Sequence, residues 1–204
     1  RNDAAHTAIM KAPSIAIVGC GFGGIALGIA LRKAGIEDFT IYERADEIGG
    51  VWRDNIYPGA ACDVPSRFYC FSFEQDFPWT SLCAPQSQIF EYLKHCVEKY
   101  DLARHIRFGV EITEAAFDAQ KWTLKTAADD AIVADVFVSS VGLFNRPKIP
   151  EVTGREDFVG TQFHSARWDA AFNPAGKRVA VVGTGASAIQ FVPAIAPRVK
   201  ELLV

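Results

Sequence analysis

The chain has 204 residues, a formal net charge of −3 at pH 7, 50% hydrophobic residues and 22% charged residues, values that are ordinary for a globular protein. The slight acidic excess argues against nucleic acid or an anionic membrane surface as a partner. The longest apolar runs, such as Ile15–Val18 and Val179–Val182, have the length of strands and fall far short of a membrane span. Residues Arg1–Met10 lack the apolar segment and cleavage site of a secretory signal.

The cysteine and histidine patterns indicate neither a disulfide framework nor a metal site. The five cysteines form no CxxC pair, and their number is odd. We therefore expect reduced thiols and a reducing, cytoplasmic location. The four histidines have no metal-ligand spacing, so no metal is expected.

The first elements in chain order predict a dinucleotide-binding β–α–β unit. Ser14–Val18 is a β-branched run typical of a strand, and the glycine-rich loop 19–24 follows it at once. An Ala- and Leu-rich helix is predicted to continue to Ala34 and to end at Gly35. A second strand, Phe39–Tyr42, leads directly into Glu43.

The middle of the chain predicts one amphipathic helix and a small antiparallel meander. The helix is expected over Pro85–Tyr100, with apolar residues on one face. Strands are expected over Ile106–Ile112, Trp122–Thr126 and Ile132–Val138. The proline-containing stretch 145–150 is predicted to be a stiff connector that ends the first domain. The expected helix face consists of Ile89, Leu93, Cys96 and Val97.

A second β–α unit is predicted near the end of the chain. The strand Arg178–Val182 leads into a glycine loop at 183–188, and a helix is expected from Ile189. The final residues, Glu201–Val204, are predicted to be a second strand. Because two strands and one helix leave sheet edges and faces unburied, we expect this unit to continue beyond the given residues.

The first glycine loop has the surroundings that a dinucleotide site requires. Gly19 permits the tight turn, Gly21 lets the backbone approach a pyrophosphate, and Gly24 allows close packing of helix on strand. Glu43 is placed to accept hydrogen bonds from ribose hydroxyls and would repel a 2′-phosphate. The first site is therefore predicted to bind FAD or NAD, and the loop pattern leaves this choice open.

The segments that follow Glu43 resemble flavin-dependent monooxygenases. Residues 47–52 (EIGGVW) resemble the GG-x-W stretch of flavin-containing monooxygenases, and residues 53–73 resemble the flavin-side segment of cyclohexanone-monooxygenase-like proteins. Residues 158–169 (FVGTQFHSARWD) resemble the F-x-G-x-x-x-H-x-x-x-W-[PD] fingerprint of type I Baeyer–Villiger monooxygenases. Residues 140–142 (SVG) depart from the usual Ala-Thr-Gly of these proteins, which leaves the exit from the flavin domain less typical.

The resemblance implies an α/β fold with an FAD-binding domain at 1–150, a linker at 151–177 and the start of an NADPH-binding domain at 178–204. Asp63, His164 and Trp168 are the candidate catalytic-site residues: Asp63 would orient an arginine beside the flavin, and His164 would have a positioning role and not act as a general base. The implied FAD-site residues are Gly19, Gly21, Phe22, Gly24, Glu43, Gly50, Val51, Trp52, Arg53, Asp54, Cys62, Asp63, Tyr69 and Ile112. The implied NADPH-site residues are Gly183, Thr184, Gly185, Ala186, Ser187, Ala188 and Gln190.

The same resemblance implies an activity and leaves two alternatives. Its members use NADPH and O₂ to insert one oxygen atom beside a ketone carbonyl through a flavin C4a-peroxide, giving an ester or lactone. The partner arginine and the residues for the NADPH 2′-phosphate have no counterpart before Val204, so the chain alone is expected to lack activity without a C-terminal half. An N- or S-oxygenating flavin monooxygenase is one alternative, which Trp168 disfavours. A truncated, non-catalytic FAD-binding module is the other.

Overall fold

The computed structural model describes residues 12–204, so the prediction about a secretory signal at Arg1–Met10 lies outside the described residues. Strand β1 (Ile15–Val18) leads through a glycine turn into helix α1 (Phe22–Lys33), and the chain returns as β2 (Phe39–Tyr42). The two strands are parallel and in register over their full length. The predicted β–α–β unit is therefore confirmed.

The first sheet has four parallel strands in the order β3-β2-β1-β7, where β3 is Ile106–Arg107 and β7 is Val136–Ser139. Side chains of β1 alternate between the two sheet faces, as a strand requires. Ile17 packs among the helices in the main core, whereas Ala16 packs on the opposite face. The sheet is thus buried on both faces.

Two further helices complete the helical side of the sheet. The short α2 (Val51–Asp54) precedes α3 (Gln86–Lys99), which packs against both α1 and α2. Three of the four residues predicted for the buried face of α3, Ile89, Leu93 and Cys96, are fully buried. Tyr92 is fully buried as well, and its hydroxyl accepts a hydrogen bond from the Phe71 amide and donates one to the Glu74 carbonyl. This pair of bonds fixes the loop before α3.

The other face of the sheet is covered by a three-stranded antiparallel meander. Its strands are β4 (Ile112–Phe117), β5 (Trp122–Thr126) and β6 (Ala131–Ala134). Leu124 and Ala134 of the meander pack against Ala16 of β1. The predicted antiparallel meander is present, but its first strand is Ile112–Phe117, which was not predicted as a strand.

Two of the predicted strands extend across the boundary between the two sheets, so that each combines residues of two separate strands. The prediction over Ile106–Ile112 is wrong, since β3 ends at Arg107 and the chain turns at Gly109, whose φ is 70°. The prediction over Ile132–Val138 is also wrong: β6 ends before Asp135 and β7 begins after it. The Asp135 carboxylate accepts hydrogen bonds from the amide and hydroxyl of Ser14, each 2.8 Å long. This long-range contact turns the chain from one sheet into the other.

A second β–α–β unit closes the described structure. Strand β8 (Arg178–Ala180) and strand β9 (Glu201–Leu203) are parallel, and α4 (Ala186–Ile195) connects them. The helix begins earlier than the predicted start at Ile189, and β8 ends before the predicted Val182. The fold class is α/β, with a Rossmann-like first unit followed by a second β–α–β unit.

Helix α4 docks on the loop that follows α2. The Gln190 side-chain oxygen accepts hydrogen bonds from the Tyr57 hydroxyl (2.9 Å) and the Ala61 amide (3.3 Å), and its Nε2 donates to the Ala61 carbonyl (2.8 Å). Gly59 lies against the helix, where a Cβ atom would come within 2.9 Å of the Gln190 carbonyl oxygen. Gln190 and this close backbone approach therefore help to join the two units.

Within residues 12–204, no helix is both long and apolar enough to cross a membrane. All five cysteines have free thiols; Cys20, Cys62 and Cys96 are buried.

We predict that Asp135→Asn lowers the free energy of unfolding near neutral pH. We also predict that this free energy then depends less strongly on pH in the acid range. The hydrogen bond from Lys121 and those from Ser14 hold the pKa of the Asp135 carboxyl below its ordinary value of 3.8. A carboxyl with a lowered folded-state pKa stabilises the fold above its unfolded-state pKa, and this contribution is lost as the pH falls below 3.8. Urea denaturation at a series of pH values measures the effect. Asp130→Asn, in the exposed β5–β6 turn, is the matched control, and an equal pH dependence in both variants would contradict the assignment.

We also predict that Gln190→Ala lowers the free energy of unfolding by about 1–3 kcal/mol, because it leaves the Ala61 backbone groups without their partners. Urea denaturation followed by circular dichroism measures this loss. Gln162→Ala is the control, since Gln162 bonds only within the exposed segment 155–162. A Gln190→Ala variant as stable as the control would show that this docking contact contributes nothing.

Candidate active site

A cavity of about 370 Å³ lies at the carboxyl ends of β1, β2 and β7. This is the edge at which ligands bind in open parallel α/β sheets, and the volume falls within the range of small-molecule sites. Its wall includes all the predicted FAD-site residues except Gly24, Cys62 and Asp63. The lining residues that had been predicted are Gly19, Gly21, Phe22, Glu43, Gly50, Val51, Trp52, Arg53, Asp54, Tyr69 and Ile112.

Three of the four glycines of the first loop, Gly19, Gly21 and Gly24, have different structural reasons for being glycine. Gly19 has a φ of 103°, and a Cβ there would lie 2.5 Å from the Ser140 carbonyl oxygen. A Cβ on Gly24 would lie 2.0 Å from the Gly19 carbonyl oxygen, so Gly24 serves helix–strand packing and does not line the cavity. A Cβ on Gly21 would meet only the Gly50 Cα, at 3.8 Å. Packing alone therefore does not require glycine at position 21, whereas a ligand lying on its backbone would.

The N-terminus of α1 faces this cavity. Gly21 is its N-cap residue and provides no side chain to cap the helix, and the first turn contains no acidic residue. The free N–H groups and the helix dipole there favour an anionic group. The charge of a pyrophosphate therefore suits this helix N-terminus.

Glu43 is a buried carboxylate fixed at the cavity wall, with only 5% of its surface exposed. Its Oε2 accepts a hydrogen bond from the Cys20 amide (2.9 Å), and its Oε1 accepts one from the Ala45 amide (3.1 Å) and pairs with the Arg53 guanidinium (3.2 Å). A carboxylate has about four acceptor positions, so these three donors leave room for a further donor such as a ribose hydroxyl.

Arg53 connects Glu43 to the neighbouring Asp54. Its Nε lies 2.8 Å from Asp54 Oδ1, and it also donates to the Glu47 carbonyl at 2.7 Å. Burial lowers the pKa of Arg53, but the hydrogen bond and charge of Asp54 and the charge of Glu43 outweigh burial and raise it overall. The charge of Glu43 also acts on the Cys20 thiol, whose pKa burial and this charge raise to about 12. Cys20 is therefore an inert thiol in the loop.

Aromatic side chains form another part of the cavity wall. The Trp52 indole N–H donates to the Tyr69 hydroxyl at 3.0 Å, and the two rings meet edge to face with centroids 5.5 Å apart. Phe22 packs against Tyr69 in the same manner at 5.0 Å. Polarisable aromatic side chains of this kind suit contact with another aromatic ring system.

Two of the predicted residues lie beside the cavity and not in its wall. Cys62 is buried, and its amide donates to the Ala84 carbonyl at 2.9 Å. Asp63 is exposed and forms no ion pair with any residue of the described range 12–204. Their roles at the flavin stay predictions.

Sequence reasoning missed part of the wall. Arg44 directly follows Glu43 and could have been found from its place after the end of β2. Asn145 and Arg146 follow β7. Their place in the wall was not predicted, because the predicted strand Ile132–Val138 did not separate β7 from β6. The missed wall residues include Arg44, Glu111, Ser140, Asn145 and Arg146.

His164 and Trp168 lie outside the cavity. His164 Nδ1 accepts a hydrogen bond from the Ala166 amide at 3.0 Å and so caps the 3-10 turn Ser165–Arg167. Trp168 packs against Phe163 and against Phe191 of α4, with ring centroids 5.0 and 5.3 Å apart. Both side chains thus support the local structure between the two units, and a part in catalysis stays a prediction.

The second glycine loop has a similar backbone shape to the first. Gly183 has a φ of 108°, and Gly185 is the N-cap residue of α4, again without a side-chain cap. A Cβ on either glycine would meet nothing within 4 Å. Ala188 is buried in the hydrophobic cluster that contains Phe191, and the Gln190 side chain is hydrogen-bonded to Ala61 and Tyr57. A cofactor-binding role for this loop, residues Thr184, Ala186 and Ser187 included, stays a prediction.

Known proteins resemble this chain over nearly all of its length. The flavin-binding monooxygenase-like family matches residues 12–204. A Baeyer-Villiger monooxygenase from Streptomyces coelicolor is 44% identical over 201 residues, which are 98% of this chain and 38% of that protein. The chain therefore spans less than two fifths of that relative's length.

Solved structures agree with this match. Cyclohexanone monooxygenase from Rhodococcus sp. Phi1, bound to NADP+, superposes with a TM-score of 0.85 at 37% identity, over 93% of this chain and 37% of the other. OTEMO in complex with FAD and NADP superposes with a TM-score of 0.86 at 27% identity, over 94% and 38%. From the family match over the whole described range, together with these likenesses, the chain belongs to the flavin-binding monooxygenase-like family.

Proposed function

We propose that the protein containing these residues is an FAD- and NADPH-dependent monooxygenase of the Baeyer–Villiger type. Its reaction would convert a ketone, O₂, NADPH and a proton into an ester or lactone, NADP⁺ and water. The observation that carries the proposal is the cavity, whose wall combines the open backbone of Gly21, a fixed Glu43 carboxylate and the N-terminus of α1. The names of the relatives support the ketone-oxidising class.

The cavity residues fit FAD part by part. The α1 N-terminus and the Gly21 backbone would hold the pyrophosphate, and Glu43 would accept a hydrogen bond from the adenosine ribose. The aromatic wall of Trp52 and Tyr69 would lie beside the isoalloxazine ring. When bound, the flavin would supply hydride acceptance and oxygen activation.

The second glycine loop is the proposed site for the NADPH pyrophosphate, since Gly183 and Gly185 leave open space in front of the α4 N-terminus. Domains at 1–150 and 178–204, with a linker at 151–177, are part of this proposal. Asp63 would orient a cation near the flavin, and its exposed carboxylate is free to do so within residues 12–204. Arg167, Trp168 and His164 would then belong to the structure that connects the two sites.

The first experiment measures FAD binding by flavin fluorescence. We expect the chain to bind FAD, Gly21→Ala to weaken binding at least about tenfold because a Cβ would occupy ligand space, and Glu43→Gln to weaken it about 10–100-fold through a lost charge-assisted hydrogen bond. Glu47→Gln is the matched control, because the Glu47 side chain is 47% exposed and pairs with Lys94.

Circular dichroism of each variant establishes that it is folded. A folded wild-type chain that binds no FAD would contradict the proposed function, and so would folded Gly21→Ala and Glu43→Gln variants with unchanged affinity.

A further inference from the structure

Arg167 joins the wall of the cavity to the linker. It is the last residue of the 3-10 turn Ser165–Arg167. One of its guanidinium nitrogens, Nη1, lies 3.5 Å from Asp54 Oδ2, and the other, Nη2, donates to the Asn145 carbonyl at 3.0 Å. Asp54 and Asn145 both line the cavity. One side chain therefore reaches two separate parts of the cavity wall.

Both partners of Arg167 are tied to the groups that would contact the ligand. Asp54 Oδ1 pairs with Arg53, which pairs with Glu43. The Asn145 carbonyl also accepts a hydrogen bond from Arg44, at 3.2 Å, and Arg44 directly follows Glu43 in the chain. The contacts thus form a closed circuit at the rim of the cavity, which we call the rim circuit: Glu43, Arg53, Asp54, Arg167, Asn145 and Arg44.

The other side of Arg167 leads to the second unit. Trp168 is the next residue, and its ring packs against Phe191 of α4. Phe163 and Phe172 of the linker pack against the same ring. A displacement of the Arg167 backbone would therefore disturb the aromatic contact on which the linker rests against α4.

We propose that Arg167 is a positioning residue that couples occupancy of the FAD cavity to the packing of the linker on α4. The inference rests on the proposed function, because it requires FAD in the cavity. A ligand that contacts Glu43, Arg53 or Arg44 reduces the mobility of the rim circuit. Because Arg167 belongs to this circuit and precedes Trp168, the mobility of Trp168 is reduced as well. Coupling of this kind is reciprocal, so loss of Arg167 weakens FAD binding as well as linker protection.

The planar fork of arginine is needed for this role. Its Nη2 donates to the Asn145 carbonyl, while its Nη1 donates to the Ala166 carbonyl at 2.7 Å and lies 3.5 Å from Asp54 Oδ2. A lysine ammonium offers only one nitrogen on a flexible stem for these partners. The Arg167 side chain is 42% exposed and that of Asp54 is 19% exposed. For a pair so open to solvent, we expect Arg167→Gln to weaken FAD binding by about two- to fivefold.

The test is hydrogen exchange of the chain with and without FAD, for wild type, Arg167→Gln, Arg167→Lys and the control Arg155→Gln. Arg155 is an arginine of the same linker whose side chain bonds only to Gln162 among the described residues, so its replacement changes the charge equally without touching the cavity. In wild type and in Arg155→Gln, we expect FAD to slow exchange both in the glycine loop 19–24 and in the linker segment 163–172. In Arg167→Gln we expect protection of the loop to persist and protection of the linker to be lost, with Arg167→Lys between the two.

Protection of 163–172 that survives Arg167→Gln would overturn the inference. So would a wild-type linker left unprotected while FAD protects 19–24, or an equal loss in Arg155→Gln. If FAD protects neither segment in the folded wild type, the proposed function fails and the inference falls with it, so the two failures are distinguishable.

Discussion

The Glu43 carboxylate is the point at which the separate pieces of the site are held together. Its hydrogen bond from the Cys20 amide ties the end of β2 to the glycine loop after β1, and its ion pair with Arg53 ties both to α2. A buried carboxylate is costly unless donors satisfy it, so these contacts constrain the geometry strongly. The glycine loop, the aromatic wall and the rim circuit all take their positions relative to this one group.

The packing around the site explains why the cavity can stay open. The helices cover one face of the parallel sheet and the meander covers the other, so that most of the core lies on the two faces of the sheet and away from the cavity. Backbone atoms occupy the space where a Cβ atom of Gly19 or Gly24 would lie, whereas the backbone of Gly21 and the N-terminus of α1 face the cavity. The second unit is attached by Gln190 and by Trp168, two contacts that lie outside the cavity wall.

The parts of this structure that local patterns encode were predictable. Strands β1, β2 and β5, helix α3 and the first glycine loop follow from apolar periodicity and glycine spacing, and Glu43 follows from its place after β2. The errors arose where two elements are continuous in sequence but belong to different sheets. The split at Asp135 depends on its contact with Ser14, 121 residues away, which no local pattern shows. Asn145 and Arg146 were missed for the same reason, because their place in the site depends on where β7 lies.

The most direct test of the central claim is a crystal structure of this chain with FAD. The account predicts the pyrophosphate over Gly21 at the N-terminus of α1, a ribose hydroxyl within hydrogen-bond distance of the Glu43 carboxylate, and the flavin ring beside Trp52 and Tyr69. A structure with FAD bound at the loop 183–188, or bound in the first cavity with Glu43 contacting no part of it, would contradict the account.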